Sequence, residues 1–419
     1  MTGIHFWHDP LDRYTGGECN FYLASVVLGH RANRIVFDPE KKEIRMASNK
    51  RRRASYVAAL AAAGALLLSA CGGETTADSG AGETAAATGE FPTTGSGVVN
   101  VYNWTDYIDP EELKRFTAET GIEVILDTYD SNETLLAKLQ SGATGYDVIV
   151  PSDYMVQQMV DLGLLQNIGV RSFPNGGNIK DNLIDVYWDS GRNYTAPWNY
   201  GTTGIACNFV AEPECANIKS WKDYFTAGLP KMDSLKDQVE VVSAALRATG
   251  VAGDDLCTTD TAKYIAAEEL LAGFKPAVIE SDGGIERVTA GTSNIRHAWN
   301  GSTHRMTVEN PDVQYIYPSE GLNLWADNLA IPVGAPNLDN AKIFINWMMS
   351  PQAAGAQSNF SGYDNGIKGS DAFMDDSLKT DPAVVVPADK EALISPLPNC
   401  GEEARELYTQ VFTTWTTGQ

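Results

Sequence analysis

The sequence predicts an α/β protein built on a parallel sheet and large enough for two lobes. Three observations lead there. Over residues 98–150, short apolar runs of strand length alternate with helix-period segments in the order βαβαβ. Cap residues such as Asp109 and Gly121 punctuate those segments where helices begin and end. About 320 residues follow the last low-complexity stretch, more than one typical domain holds.

Residues 98–102 are β-rich and form the first strand. Asp109-Pro110-Glu111-Glu112 then supplies an N-cap, a proline at the first helical position and an acidic first turn. That helix turns Leu113 and Phe116 inward and stops at Gly121. A strand over 122–128, a helix over 132–141 carrying Leu135, Leu136 and Leu139, and a strand over 146–150 complete the unit. Parallel strands joined by right-handed crossovers place the loop 103–107 and the loop 151–154 at the carboxyl edge of one sheet, where open α/β sheets bind ligands. Each loop sets aromatic rings beside hydroxyls and a carboxylate. Packing and capping explain such loops equally well, with Asp153 a candidate cap for the next helix.

Residues 161–193 read as loop-rich, and 194–208 run through Trp198, Tyr200, Gly201 and Gly204 as a crossing into a second lobe. There Ser234-Leu235-Lys236-Asp237 resembles a capping-box start, followed by the stripe Val239, Val242, Leu246 and a stop at Gly250. Asp237 and Glu240, three apart, share a face near the helix N-terminus, where complementing the dipole is sufficient reason for both. Trp299 and Trp325 each sit at a strand end or turn; 340–349 is an apolar helix before Pro351, 362–366 a turn and 402–415 a final helix. No GxGxxG, P-loop, HExxH or GxSxG element appears, which weakens an enzyme reading.

Upstream, Lys50 to Arg53 followed by the 12 apolar residues 57–68 reads as a signal peptide, since a bilayer span needs about 20. Leu68-Ser69-Ala70-Cys71 resembles a lipobox, so Cys71 is expected to be lipidated and to anchor the protein on the outer face of the cytoplasmic membrane. Residues 46–70 are then the lipoprotein signal peptide, 1–45 a mis-assigned upstream extension with translation starting at Met46, and 71–97 a flexible Gly, Ala, Thr and Glu linker.

The full chain carries 31 Lys and Arg against 54 Asp and Glu; residues 1–70 hold 10 and 6 of these, leaving 21 against 48 and a formal charge of −27. Nucleic acid is an unfavourable partner for such a surface, and cations are attracted to it. Beyond Cys71 the cysteines are Cys207, Cys215, Cys257 and Cys400, which allow three pairings. The shortest loop joins Cys207 to Cys215, with Cys257 to Cys400 following. Only His297 and His304 remain past the lipobox, and both are expected to be surface or hydrogen-bonded residues.

Seven segments in collinear order resemble the spermidine/putrescine-binding receptors of bacterial polyamine ABC transporters. They are Val101-Tyr-Asn-Trp-Thr-Asp-Tyr107, Phe116-Thr-Ala-Glu-Thr-Gly121, Tyr129-Asp-Ser-Asn-Glu133, Tyr146-Asp-Val-Ile-Val-Pro-Ser152, Gly201-Thr-Thr-Gly-Ile205, Trp299-Asn-Gly-Ser302 and Trp325-Ala-Asp-Asn-Leu-Ala-Ile-Pro332. The resemblance implies the type II periplasmic-binding-protein fold, with lobe 1 over 98–202 and 326–371 and lobe 2 over 203–325 and 372–419. It implies a hinge near 201–204 and 325–327. The amine-binding aromatics of that family match Trp104, Tyr107, Tyr154, Trp299, Trp325 and Tyr363, and its hydroxyl and acidic positions match Thr105, Asp106, Ser152, Asp237, Glu240 and Asp327. Pro398 stands where the family pattern has a glutamine, with Asn399 beside it.

On this reading Asp237 and Glu240 take one terminal ammonium, Asp327 a second, and Asp106 with Ser152 the far end, while the tryptophans cover the methylenes. The implied protein is a monomeric, lipid-anchored receptor serving a permease with a separate ATPase, with no cofactor and no metal. Two rivals stand beside it: the same scaffold holding a ferric ion, a sugar or another cationic amine, and an extracellular hydrolase using Asp237 and Glu240 as acid and base.

Overall fold

The computed structural model describes residues 36–38, 43–45, 91–142, 145–281, 283–396 and 400–418. The chain divides into a unit over 1–84 and a unit over 85–419. In the first, the described backbone is an antiparallel pair, Val36–Asp38 against Glu43–Arg45. The signal peptide expected over 46–70, the lipidation expected at Cys71, and Pro398 with Asn399 lie outside the described residues. None of the described helices is long and apolar enough to cross a membrane.

The second unit opens earlier than its composition suggests. Phe91 already packs on Phe173 at 4.8 Å, Gly95 N–H donates to Thr120 O at 2.9 Å, and Asn340 holds Ser96 O at 2.9 Å. The end of the expected linker, from Phe91 on, is therefore part of the folded body, docked by a partly buried ring and by hydrogen bonds to its backbone.

The βαβαβ unit follows as β1 (Val98–Trp104), α1 (Pro110–Thr120), β2 (Glu123–Tyr129), α2 (Asn132–Gln140) and β3 (Val148–Ile149). β1 lies between β2 and β3, parallel to both. Asp109 caps α1 by accepting from Glu111 N–H, and Gly121 closes it in the left-handed conformation at φ 80°. β3 leads into α3 (Asp153–Asp161); its cap position is Ser152, and the Asp153 carboxylate accepts from the adjacent Tyr154 N–H at 2.8 Å instead of capping the helix.

After 3₁₀ turns and a small hairpin within 161–193, β4 (Thr195–Asn208) runs for 14 residues through the middle of the sheet. It pairs antiparallel with β6 (Ile295–Trp299) and with β7 (Leu322–Ala330). Beyond β6 lies β5 (Met232–Ser234), and on β7's far side lie β3, β1 and β2, so one continuous sheet joins both halves of the unit. β4 and β7 meet where crossings are expected, with Gly201 opposite Trp325. A Cβ on Gly201 would stand 2.2 Å from Asn300 Oδ1 and 2.8 Å from the Trp325 ring, so only glycine lets these side chains close over the strand.

Apolar packing is divided between two main cores. One gathers residues from 205–322 together with Tyr408, Val411 and Trp415; the other gathers residues from 99–198 and 325–367. In the first lies α4 (Gln238–Ala248), with Val242 and Leu246 fully buried and Val239 partly so. The cap of α4 is not Ser234, which ends β5, but Asp237 itself, which accepts from Val239 N–H and Glu240 N–H, both at 3.0 Å. Disulfides join Cys207 to Cys215 and Cys257 to Cys400.

His297 departs from expectation. It is buried against Trp221 at 4.7 Å with neither ring nitrogen hydrogen-bonded among the described residues, and burial pushes its pKa down to about 3, so it stays neutral. His304 does bond, Nδ1 lying 2.6 Å from Asp381 Oδ2.

Candidate functional site

Parallel pairing of β1, β2 and β3 brings three loops to one edge, and strands and helices from the other core face them. The result is a cavity of about 220 Å³. All twelve residues singled out in the sequence line it: Trp104, Thr105, Asp106, Tyr107, Ser152, Tyr154, Asp237, Glu240, Trp299, Trp325, Asp327 and Tyr363.

Asp327 sits where the β4–β7 register shifts between Ala326 and Asn328, a bulge that re-aims one side chain out of the ladder. Ser152 Oγ donates to its Oδ1 at 2.6 Å and Tyr107 OH to its Oδ2 at 2.8 Å. These bonds fix the carboxylate but bring no positive charge. Burial therefore dominates and pushes the Asp327 pKa up to about 7.

Asp237 and Glu240 occupy the first turn of α4 at 6% exposure each. Asp237 Oδ1 is used for capping, and among the described residues no hydrogen bond reaches its Oδ2. Glu240 Oε2 accepts from Asn323 Nδ2 at 2.8 Å. Burial raises the pKa of both, and Asp237 beside Glu240 helps to bring the latter up to about 8. Capping and an unbonded carboxylate oxygen coexist on Asp237, so the dipole reading and the ligand reading do not compete.

The aromatic residues form the remaining walls. Trp325 meets Tyr363 edge-on at 5.0 Å, Tyr363 meets Tyr107 at 5.7 Å, and Trp299 packs against both main cores. Tyr363 can lie there because Gly301 has no side chain: a Cβ would come within 2.3 Å of the ring. Trp104 Nε1 is anchored on Val150 O at 2.9 Å, and Thr105 Oγ1 lies 3.5 Å from Tyr129 O. The Trp325 indole N–H is buried without a partner among the described residues.

Asp106 and Ser152, expected together at a far ammonium, each have a partner within the protein. Arg305 Nη2, from the helix Asn300–Glu309, donates to Asp106 Oδ2 at 2.7 Å, and Ser152 Oγ is already committed to Asp327. Arg305 lies 199 residues away, so sequence spacing gives no sign of the pair.

Several positioning residues escape a reading of the sequence. Asn132 donates to Ser152 Oγ at 3.1 Å and to Tyr154 OH at 3.0 Å, tying two loops together. Asn323 orients Glu240. Glu133, within reach of Tyr154 OH at 3.5 Å, has its pKa raised to about 7 by burial and by Asp237. A signal for Asn132 and Glu133 existed, because a loop following β2 must emerge at the same edge as those after β1 and β3.

A model of the family "Bacterial extracellular solute-binding protein" matches residues 112–386. The chain is 35% identical over 267 residues to the spermidine/putrescine-binding periplasmic protein of Escherichia coli (strain K12), covering 62% of this chain and 75% of that protein. It is 30% identical over 346 residues to the putrescine/agmatine-binding protein of Pseudomonas aeruginosa, covering 76% and 92%. Among solved structures, a putative spermidine/putrescine ABC transporter protein from Listeria monocytogenes superposes with a TM-score of 0.72 at 28% identity, covering 77% of this chain and 99% of that one. With its two-lobed α/β fold and a single cavity holding all twelve expected residues, the chain belongs to the bacterial extracellular solute-binding proteins.

Proposed function

We propose that this protein is an extracytoplasmic receptor that captures a linear polyamine, spermidine or putrescine, and delivers it to an ABC transporter permease driven by a separate ATPase. One observation carries the reading: Asp237, Glu240 and Asp327 are buried in one aromatic-lined cavity, and none has a salt bridge among the described residues. Burying a charge without a partner costs several kcal/mol, so such a site calls for a cation from outside. Aromatic faces beside it suit the methylene stems and add cation–π attraction. The names of the relatives point to the same ligand class.

Asp237 with Glu240 receives one terminal ammonium and Asp327 a second, while Trp104, Trp299 and Trp325 cover the chain between. The ligand is bound and released without any bond being made or broken. A hydrolase would need its acid and base on opposite sides of the substrate, whereas Asp237 and Glu240 share one helix turn and Asp237 spends an oxygen on the cap.

The lobes we assign are 98–202 with 326–371 and 203–325 with 372–419. The division of the two main cores supports those boundaries, and the β4–β7 crossing at Gly201 and Trp325 is the natural hinge. The anchor is a diacylglycerol on Cys71, and the working form is a monomer. Isothermal titration of a protein with both Asp237 and Glu240 replaced by alanine tests the site. Amine binding should vanish while the melting transition persists; unchanged affinity would refute the assignment.

A further inference from the structure

Four of the acidic side chains lining the cavity fall into two kinds, and Asp130 and Glu286 complete the acidic lining. Asp237, Glu240 and Asp327 have no cationic partner among the described residues, whereas Asp106 has one in Arg305, 2.7 Å away. Asp106 is held in the left-handed region at φ 52°, uncommon for a residue with a side chain. Arg305 is itself a lining residue: it follows Ser302, which bonds the Tyr363 hydroxyl at 3.1 Å, and its guanidinium lies 5.6 Å over the Phe360 ring. Asp237, Glu240 and Asp327 thus leave their part of the cavity anionic, whereas the charge of Asp106 is cancelled by Arg305.

Resting on the amine-receptor reading above, we propose that Arg305 determines specificity by neutralising Asp106, which leaves the cavity matched to two ammonium groups and favours a diamine over a triamine. The first ammonium meets Asp237 and Glu240, and the second meets Asp327. A third, on the aminopropyl arm that spermidine has and putrescine lacks, is brought toward a guanidinium already bound to Asp106. The Arg305 and Asp106 side chains are 27% and 53% exposed, so solvent and salt soften the effect. Discrimination of about tenfold follows, not exclusion.

The test is isothermal titration of putrescine and spermidine into the unmodified protein, Arg305→Gln and Asp106→Asn, each first checked for an intact melting transition. The unmodified protein should bind putrescine more tightly. Arg305→Gln, which frees Asp106, should lower the ratio of spermidine Kd to putrescine Kd about tenfold. Asp106→Asn, which leaves the guanidinium unneutralised, should raise that ratio. A pair with a purely structural role predicts the same direction for both variants, since either change breaks the same bond. Ratios that move together or stay within about threefold, or an unmodified protein that prefers spermidine, overturn the role of Arg305 and leave the receptor reading standing. Failure of the unmodified protein to bind either amine overturns both.

Discussion

Two groups of carboxylates line the same cavity and live under opposite rules. Asp237, Glu240 and Asp327 are desolvated and lack a basic partner among the described residues, while Asp106 and Asp130 are partly exposed and paired, with Arg305 at 2.7 Å and Lys236 at 3.3 Å. In the first group the protein bears a cost that a cationic ligand, or protonation, relieves. In the second it has already satisfied its own charge. Exposed pairs contribute about 0–1 kcal/mol, whereas a buried unpaired charge costs several, so the first group should govern affinity and the second should tune it.

Replacing Asp237 and Glu240 together by asparagine and glutamine should weaken amine binding by at least about 100-fold with little loss of fold, since each neutral amide is nearly isosteric. Titration calorimetry reads the first result and a thermal melt the second. Asp327→Asn comes next, with an expected loss of about 10- to 100-fold. The same variant should raise the Tm of the unliganded protein at pH 8, because it removes a desolvated charge; a lower Tm would mean that the bonds from Ser152 and Tyr107 outweigh burial.

The pH dependence has a definite sign. Glu240 is raised to about 8 and Asp327 and Glu133 to about 7. A carboxyl whose pKa is raised on folding contributes stability that is complete below its unfolded value and is lost as pH rises through the folded one. The unliganded protein should therefore lose Tm between about pH 4 and 8, and a bound amine should restore it increasingly over that window. Binding at pH 7 should also release on the order of one proton, seen as a difference in apparent enthalpy between buffers of unlike ionisation heat. A pH-independent Tm would show that these carboxylates are not desolvated. Smallest of all, Asp130→Asn should change affinity by less than about threefold, since its partner Lys236 is exposed.

The sequence exposed the parts of the molecule that depend on local rules. The βαβαβ order, the Asp109 and Gly121 caps and the carboxyl-edge loops follow from period and capping. The twelve cavity residues follow from the family resemblance, eight of them inside the matched segments, and the fold brings them to one place. What stayed hidden depends on contacts distant in the chain: Arg305 on Asp106, Asn323 on Glu240, and the bulge that turns Asp327 inward. The burial of His297 is hidden for a related reason, since nothing near it in sequence shows that Trp221 will cover it. The Ser234 cap failed because β5 claims that residue first, leaving Asp237 to serve as both cap and cavity wall.

The central claim is that unpaired buried carboxylates make this cavity a polyamine site, and titration calorimetry of purified protein with putrescine, spermidine and a neutral sugar tests it directly. One-to-one binding of an amine, accompanied by proton release and by no heat from the sugar, is the predicted result. Silence toward both amines, or sugar binding of comparable strength, would contradict it.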